Sequence, residues 1–308
     1  MKKNRINFAI TLGLALSLVA FVSASAQQST SPQAAGTQNP SDRTNSRILY
    51  HDGLVLVGTT DVYVIWYGCW DNTCGTAGDS TARSIVIDFL CNIGGSPYLS
   101  ILRGYPNGSG QIPSGALFFG HEIVDNYSHG TELKVSDIQD ILSAAITNHA
   151  FPQDPNGIYI LISSADVSSP ESGLCDPLQQ PHHGIGEALG SDFRYAFVGN
   201  PMRCPGVAAP QFVSVGNLLP TPNGNLAGDG LASTLAHVLS TTITNPYNTG
   251  WFDRYGLQNA DKCPNEFGAT YLTPNGAQAN VKWGQREYLI QANWLNDKKG
   301  RCVIDASQ

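Results

Sequence analysis

The sequence feature that most constrains the fold is an uninterrupted apolar run, Ile158-Tyr159-Ile160-Leu161-Ile162. Successive side chains of a strand point to opposite faces of a sheet, so a strand without polar positions must be covered on both faces. Five residues are too few for an independent helix but fit a buried strand. The run therefore predicts a layered α/β (or α+β) domain in which helices flank a sheet.

The other periodic segments support this architecture. Aromatic and β-branched residues or apolar runs predict further strands, at 62–67, 116–124, 195–198 and 287–292. Apolar residues at helical spacing predict helices over 81–91, 135–146 and 228–244. We expect Ser136 to cap the second helix and Pro246 to end the third. The segments 168–186 and 205–225 are predicted loops, and the carboxyl-terminal third is expected to be irregular.

The amino terminus has the three parts of a secretory signal peptide. Three basic residues among the first five precede an apolar stretch over 6–22, and Ala24-Ser25-Ala26 fits a signal-peptidase site. We expect cleavage after Ala26 (signal peptide 1–26) and secretion of the mature protein. Residues 27–46 are polar and are expected to form a disordered leader, which leaves a single domain over 47–308. No membrane span is expected after cleavage.

The balance of charge argues against nucleic acid as a partner. The chain has 17 Lys and Arg residues against 24 Asp and Glu, a formal net charge of −7. Loss of the signal peptide removes three positive charges and makes the mature protein still more acidic. Such a protein is repelled by a phosphate backbone. We expect an extracellular glycan or protein as the partner instead.

All seven cysteines follow the signal peptide, which favours disulfides because exported proteins retain them. They are Cys69, Cys74, Cys91, Cys175, Cys204, Cys263 and Cys302. No C-x-x-C pair occurs, so neither a zinc knuckle nor a thioredoxin-like site is indicated. An odd number leaves at least one thiol unpaired or bonded to another chain, and spacing alone leaves the pairing open.

Several sequence blocks in a fixed order resemble one family. They are YVIWYG at Tyr63–Gly68, ISSADV at Ile162–Val167, YAFVGN at Tyr195–Asn200, RCPG at Arg203–Gly206 and TNPYNTGW at Thr244–Trp251. Together they are similar to the phosphate-induced protein 1 family, whose plant members are the EXORDIUM-like extracellular proteins. The resemblance runs from about Leu49 to Val303. It implies a zincin-like fold with a mixed sheet, and a non-catalytic protein outside the cell or at its surface or wall.

The helix that carries His237 is where the resemblance bears on chemistry. Some bacterial relatives have H-E-x-x-E-x-x-T-D-P on this helix and E-I-G-D-K-C after it, a set that suits a zinc hydrolase. Here His237 and Asp261 match, but Val238 replaces the general base, Thr241 the second ligand and Gln258 the later acidic residue. We therefore expect no catalysis and no cofactor, with His237, Asp261 and Gln258 as vestiges of a metal site. The alternative is a zinc-dependent hydrolase or peptidase with a degenerate zincin-like site.

Two other histidine motifs are weaker metal candidates. In His121-Glu122-x-x-Asp125, a predicted strand places His121 and Asp125 on one face and Glu122 on the other. His182-His183-Gly184 lies in a predicted loop, where His183 is a low-weight ligand candidate that matches the family pattern. We expect a structural role for both motifs. The absence of a G-x-S-x-G motif and of a phosphate-binding glycine loop argues against serine hydrolases and nucleotide binding.

Aromatic residues near predicted loop edges are the sequence's main indication of a glycan-binding surface. They are Trp66, Tyr67, Trp70, Trp251 and Phe252. Exposed rings beside Asn and Asp would stack on sugars, whereas the central position of Trp66 in its strand favours the core. Both interpretations stay open at this point.

The resemblance also implies a disulfide framework. Plant members carry additional cysteines just after the positions of Cys175 and Cys204, and both are absent here, which implies the bridge Cys175–Cys204. Cys263 and Cys302 match family positions and would form a second bridge, tying the carboxyl-terminal region. A bridge Cys69–Cys74 would close a small loop and leave Cys91 over.

Overall fold

A five-stranded mixed sheet organises the part of the chain that the structure describes. The structure is a computed structural model, and it describes residues 47–71, 79–176 and 182–307. The strands of this part are β1 Leu49–Tyr50, β2 Thr60–Tyr67, β3 Leu117–Asp125, β4 Gly157–Ser163, β5 His183–Ala188, β6 Ser191–Val198, β7 Val213–Ser214, β8 Asn217–Leu218, β9 Trp251–Phe252, β10 Tyr271–Leu272, β11 Gln278–Ala279, β12 Val281–Trp283, β13 Arg286–Tyr288, β14 Asn293–Leu295 and β15 Arg301–Val303.

The helices of the described part range from single turns to one long helix. They are α1 Ser80–Ile93, α2 Pro97–Ser100, α3 Val135–Thr147, α4 Pro205–Ala208 and α5 Leu226–Thr244. Single 3-10 turns occur at Ile101–Gly104, Pro170–Ser172, Pro201–Arg203, Pro210–Phe212 and Ala260–Lys262.

The strand order in the sheet is β3-β2-β4-β6-β5, with four parallel strands and β5 antiparallel at one edge. The apolar run opens at Ile158 within β4, whose seven residues are all buried. The prediction of an α/β fold with a mixed sheet is thereby confirmed. Within the described residues, no single helix is long and apolar enough to cross a membrane; only α1 joined to Pro97–Gly104, bent by 50°, meets that length and composition together.

Side-chain alternation in the central strands divides the core into two layers. On one face Val62, Val64 and Trp66 of β2 pack with α1 and α5, and on the other Tyr63 and Ile65 pack with α3. The same alternation occurs in β4, where residues 158, 160 and 162 face one layer and residues 159 and 161 face the other, which explains why none of the five is exposed to solvent. Each half of the run is covered by a different helical layer.

The long helix α5 begins and ends where its sequence dictates. The Asn225 side chain accepts a hydrogen bond from the N–H of Gly228, and the helix ends at Thr244, two residues before Pro246. A Cβ at Gly228 would lie 2.8–2.9 Å from Ile85, so glycine allows α1 and α5 to approach closely. Almost every residue of α5 is buried, and its polar side chains therefore need internal partners.

The carboxyl-terminal region consists of short two-stranded ribbons, of which β12–β13 packs against α1 and, through β13, against α5. The ribbons are β10–β11, β12–β13 and β14–β15. Two disulfides lie within the described residues, Cys175–Cys204 and Cys263–Cys302, and these are the pairs that the resemblance implied. Cys91 is exposed and free. Cys74 lies outside the described residues, so the predicted bridge Cys69–Cys74 stays a prediction.

Several local expectations were wrong. Ser136 does not cap α3; its N-cap is Lys134, whose N–H donates to the Asp137 carboxylate. The predicted loop 168–186 ends early, because β5 begins at His183. The predicted loop 205–225 contains a helical turn and the small hairpin β7–β8. The strand expected over 287–292 is reduced to β13. The predicted signal peptide, its cleavage at Ala26 and the leader 27–46 lie outside the described residues.

Candidate functional site

The site is built around His237, on the side of α5 that faces away from the apolar core. His237 has only 4% of its surface exposed. Its Nε2 lies 2.9 Å from Oδ1 of Asp261, a residue of the 3-10 turn Ala260–Lys262. The other carboxylate oxygen of Asp261, Oδ2, accepts the backbone N–H of Gln258 at 2.9 Å. Burial alone would raise the pKa of Asp261, but its hydrogen bond to His237 and the N–H of Gln258 lower that pKa below its ordinary value. The buried carboxylate is therefore held ionised.

Gln291 determines which nitrogen of His237 carries the proton. Its Nε2 lies 3.1 Å from Nδ1 of His237 and 2.9 Å from the carbonyl oxygen of Ala260. Two acceptors around one amide group identify that atom as the nitrogen, so Nδ1 of His237 must accept. The ring proton therefore resides on Nε2 and is donated to Asp261. Both ring nitrogens of His237 are thus used within the protein.

His183, the low-weight candidate, joins the same group from the first residue of β5. Its Nε2 lies 3.2 Å from Oε1 and 2.9 Å from Nε2 of the Gln258 side chain. Burial lowers the pKa of His183 to about 4, so the ring is neutral at physiological pH. Its Nδ1 is buried and has no hydrogen-bond partner. The structure thus brings together His183, Gln258, Asp261 and His237, with Gln291, which the sequence did not indicate.

The side chains in this group do not fit a catalytic zinc. Val238 has no exposed surface and packs in the apolar core with α1. The hydroxyl of Thr241 lies 3.3 Å and 3.1 Å from the carbonyl oxygens of His237 and Val238, so it bonds its own helix. His237 has no lone pair directed to an ion in this arrangement. Among the described residues, no group of three or more His, Cys, Asp or Glu side chains is placed to hold a metal ion.

A cavity of about 260 Å³, here called the His237 pocket, opens beside this group. Its floor is formed by Ser233, Thr234, His237 and Gln291. Its walls come from the loop that follows β4, from the end of β6, from 206–211 and from 264–267. The disulfide Cys175–Cys204 ties the first of these walls to the segment before α4. The pocket is therefore a preformed space with a hydrogen-bonding floor.

The strand motif at His121 has a different outcome. The side chain of Glu122 accepts the indole N–H of Trp66 and lies 2.8 Å from the guanidinium of Arg83, on the face of α1. His121 is exposed and lies on the opposite face, against the edge of Phe151. The prediction that neighbouring positions of this motif diverge is confirmed, and these donors do not converge on one point.

The aromatic residues proposed as a glycan surface belong mainly to the core. Trp66 and Tyr67 have no exposed surface and Trp70 has 3%. Trp251 is half-buried and packs on Tyr50 and Tyr105, while Phe252 stacks on His51. The interpretation of Trp66, Tyr67 and Trp70 as an exposed stacking platform was therefore wrong, because these rings fill the space between the sheet and the helices.

Comparison with known proteins gives consistent similarities along the chain. The model of the phosphate-induced protein 1 conserved region matches residues 48–304. Protein EXORDIUM-like 3 of Arabidopsis thaliana is 30% identical over 280 residues, covering 80% of each chain. Protein EXORDIUM of the same plant is 28% identical over 246 residues, covering 71% of this chain and 73% of that protein. Protein PHOSPHATE-INDUCED 1 of Nicotiana tabacum is 26% identical over 244 residues, covering 71% and 72%. No solved structure matches.

Proposed function

This chain belongs to the phosphate-induced protein 1 family, whose model it matches over residues 48–304, and we propose that it is a secreted, non-catalytic binding protein. It acts outside the cell or at the cell surface, where it binds a glycan or another protein. The sequence similarity to EXORDIUM-like proteins supports the family part of this proposal, and the site supports the absence of catalysis.

The observation that carries the non-catalytic assignment is the closed hydrogen bonding of His237. A catalytic zinc needs three protein ligands and an open position for water. Nε2 of His237 faces Asp261 and Nδ1 faces Gln291, so the imidazole is fully used without an ion. No carboxylate stands beside it on α5, where Val238 and Thr241 occupy the corresponding positions.

The same residues support a finer proposal, that the site is a lapsed zinc site on a zincin-like core. His237, Asp261 and Gln258 come from the positions where bacterial relatives would carry ligands, and they lie together. Replacement of carboxylates by Thr241 and Gln258 removes the negative charge that would hold a dication, and the remaining groups bond to one another instead.

The decisive experiment is elemental analysis of the purified mature protein, produced in an oxidising compartment and dialysed against zinc. We expect far less than one zinc per chain, and the same value for His237→Gln. One tightly held zinc per chain in the parent protein that is lost in His237→Gln would overturn the non-catalytic assignment and favour the metal-dependent hydrolase.

The extracellular part of the proposal has its own measurement. The two disulfides favour an oxidising compartment, and the amino-terminal sequence has the form of a cleaved signal. We expect the full chain, expressed in a secreting host, to appear in the medium with Gln27 as its first residue. Retention inside the cell with the first 26 residues intact would contradict secretion.

A further inference from the structure

The His237 pocket carries an inference about the ligand that rests on the proposed binding function. Its described lining residues include neither Lys nor Arg, and Asp176 is the one carboxylate among them. A phosphate, sulfate or carboxylate ligand would lack a cation to pair with. Phe197 and Phe267 contribute apolar surface beside the polar floor. This chemistry favours a ligand that is uncharged, rich in hydrogen-bonding groups and partly apolar.

Gln291 presents one hydrogen-bond acceptor to the pocket. Its Nε2 protons are both committed, one to Nδ1 of His237 and one to the carbonyl oxygen of Ala260. The amide cannot turn over, because its oxygen would then face two acceptors. Among the described residues nothing donates to Oε1, which is the remaining polar atom of a side chain that lines the cavity.

Ser233 presents one donor beside it. Its Oγ accepts the backbone N–H of Gln291 at 3.1 Å, and the residue is 7% exposed. Thr234, Ser240 and Thr242 on the same helix each donate to a carbonyl oxygen four residues earlier, whereas no such bond exists for Ser233. Its hydroxyl proton is therefore available to a ligand in the cavity.

We propose that the His237 pocket binds one ring of a neutral sugar, with ring hydroxyls that donate to Oε1 of Gln291 and accept from the hydroxyl of Ser233. A sugar hydroxyl is both donor and acceptor, so adjacent hydroxyls match this pair, and the C–H face of the ring suits the apolar wall. The volume of about 260 Å³ lies just below the usual range of small-molecule sites and fits a single ring rather than a chain.

In this arrangement the buried pair His237–Asp261 is a positioning device. Asp261 accepts from both Gln258 N–H and His237 Nε2–H. An asparagine has one acceptor oxygen, so Asp261→Asn forces its amide nitrogen against one of these donors. The imidazole relieves the conflict by moving its proton to Nδ1, where it opposes the Nε2 protons of Gln291 and displaces that side chain. Oε1 of Gln291 then no longer stands where the sugar hydroxyl requires an acceptor.

The test uses the methyl glycosides of glucose, galactose, mannose, xylose and arabinose with the full mature protein, measured by saturation-transfer NMR and calorimetry. We expect at least one glycoside to bind. Ser233→Ala should weaken it about tenfold, as for loss of one hydrogen bond. Ser143→Ala, a serine on α3 outside the pocket, is the matched control and should bind as the parent does.

Two further variants keep the test decisive if Ser233→Ala does not fold. Gly206 lines the pocket and is exposed, and a Cβ there would meet nothing within 4 Å, so Gly206→Leu adds an apolar side chain at the pocket without a backbone clash. It should weaken glycoside binding. Asp261→Asn should weaken binding and move the histidine ring proton from Nε2 to Nδ1 in ¹⁵N NMR spectra, a change that simple loosening of the fold does not produce.

The outcomes separate this inference from the function on which it rests. Glycoside binding that survives both Ser233→Ala and Gly206→Leu would overturn the assignment of the pocket and leave an extracellular binding protein with its site elsewhere. Failure of every glycoside to bind a folded, zinc-free protein would also overturn the sugar assignment without touching the non-catalytic proposal. Binding of one zinc that depends on His237 would remove the proposed function itself.

Discussion

Two histidine regions of this molecule differ in whether their side chains meet at one point. His121-Glu122-x-x-Asp125 has the residues of a metal motif, while His237-Val238-x-x-Thr241 has a histidine and no carboxylate. In the structure Glu122 turns to Trp66 and Arg83, away from its histidine. His237 meets Asp261, from another segment of the chain, at 2.9 Å.

The difference comes from backbone geometry and not from residue type. On a strand, neighbouring side chains point to opposite faces, so a carboxylate next to a histidine serves a different layer of the protein. On α5 the histidine projects from a buried helix, and the surrounding segments must supply partners for both its nitrogens. A short motif predicts a site only when its secondary structure directs the side chains to a common point.

The largest effect is expected from placing a carboxylate beside each histidine region. Val238 is fully buried against α1, whereas Val124 on β3 is 53% exposed. Val238→Glu, which places a glutamate directly after His237, should destabilise the protein by about 4 kcal/mol or more, because the charge has no partner there. Val124→Glu should change stability by about 0.5 kcal/mol or less. Urea unfolding measures both.

Equal midpoints for these two variants would show that Val238 faces the site and not the core. Addition of zinc gives a second distinction. A Val238→Glu protein that is rescued by zinc would mean that α5 still offers a coordination geometry, in conflict with the closed hydrogen bonding of His237.

An intermediate effect is expected from pH, through the neutral, buried His183. Its pKa is about 4 in the folded protein against an ordinary 6.5. The unfolded chain therefore binds a proton at higher pH than the folded one, and stability falls as pH drops from 6.5 towards 4. The difference corresponds to a loss on the order of 3 kcal/mol. The pKa of Asp261 is lowered, so the stability that its ionised carboxylate contributes is lost only at still lower pH.

The measurement is the urea midpoint between pH 7.5 and 4, compared for the parent chain, His183→Gln and the exposed strand histidine variant His121→Gln. His183→Gln should make the urea midpoint depend less on pH in this window. Part of the pH dependence should persist, because burial also lowers the pKa of His182. His121→Gln removes an exposed histidine and serves as the control. An unchanged slope in His183→Gln would contradict the burial of a neutral imidazole beside Gln258.

The comparison also explains how far the sequence predicts this fold. The strands at 62–67 and 158–162 were predicted because their whole pattern is local, and the long helix ends where its capping residues place it. The edge strand β5 was missed, since its sequence His183-Gly184-Ile185-Gly186-Glu187-Ala188 has little strand character. It forms through pairing with β6 and through Gln139 and Ser143 of α3, which donate to its outer carbonyl oxygens.

The site shows the same division between local and distant information. The association of His237, Asp261 and Gln258 followed from the resemblance to bacterial relatives, because composition and spacing alone do not link residues on separate segments. Ser233 and Gln291 had no signal at all. They are 58 positions apart, and an ordinary serine and glutamine acquire their roles only when β13 and the segment after it are laid along α5.

The smallest effect is expected from the strand motif, and it sharpens the contrast by a double-mutant cycle. Glu122→Gln should cost about 1 kcal/mol, because Glu122 and Arg83 are both partly exposed and such pairs contribute little. His121→Gln should cost less. Since the two side chains lie on opposite faces, their combined effect should be additive to within about 0.5 kcal/mol.

The cycle of His237→Gln with Asp261→Asn should instead show coupling of about 1–3 kcal/mol, as expected for one buried network. Equal coupling in both cycles, measured by urea unfolding at pH 7.5, would mean that strand and helix present their histidine motifs in the same way.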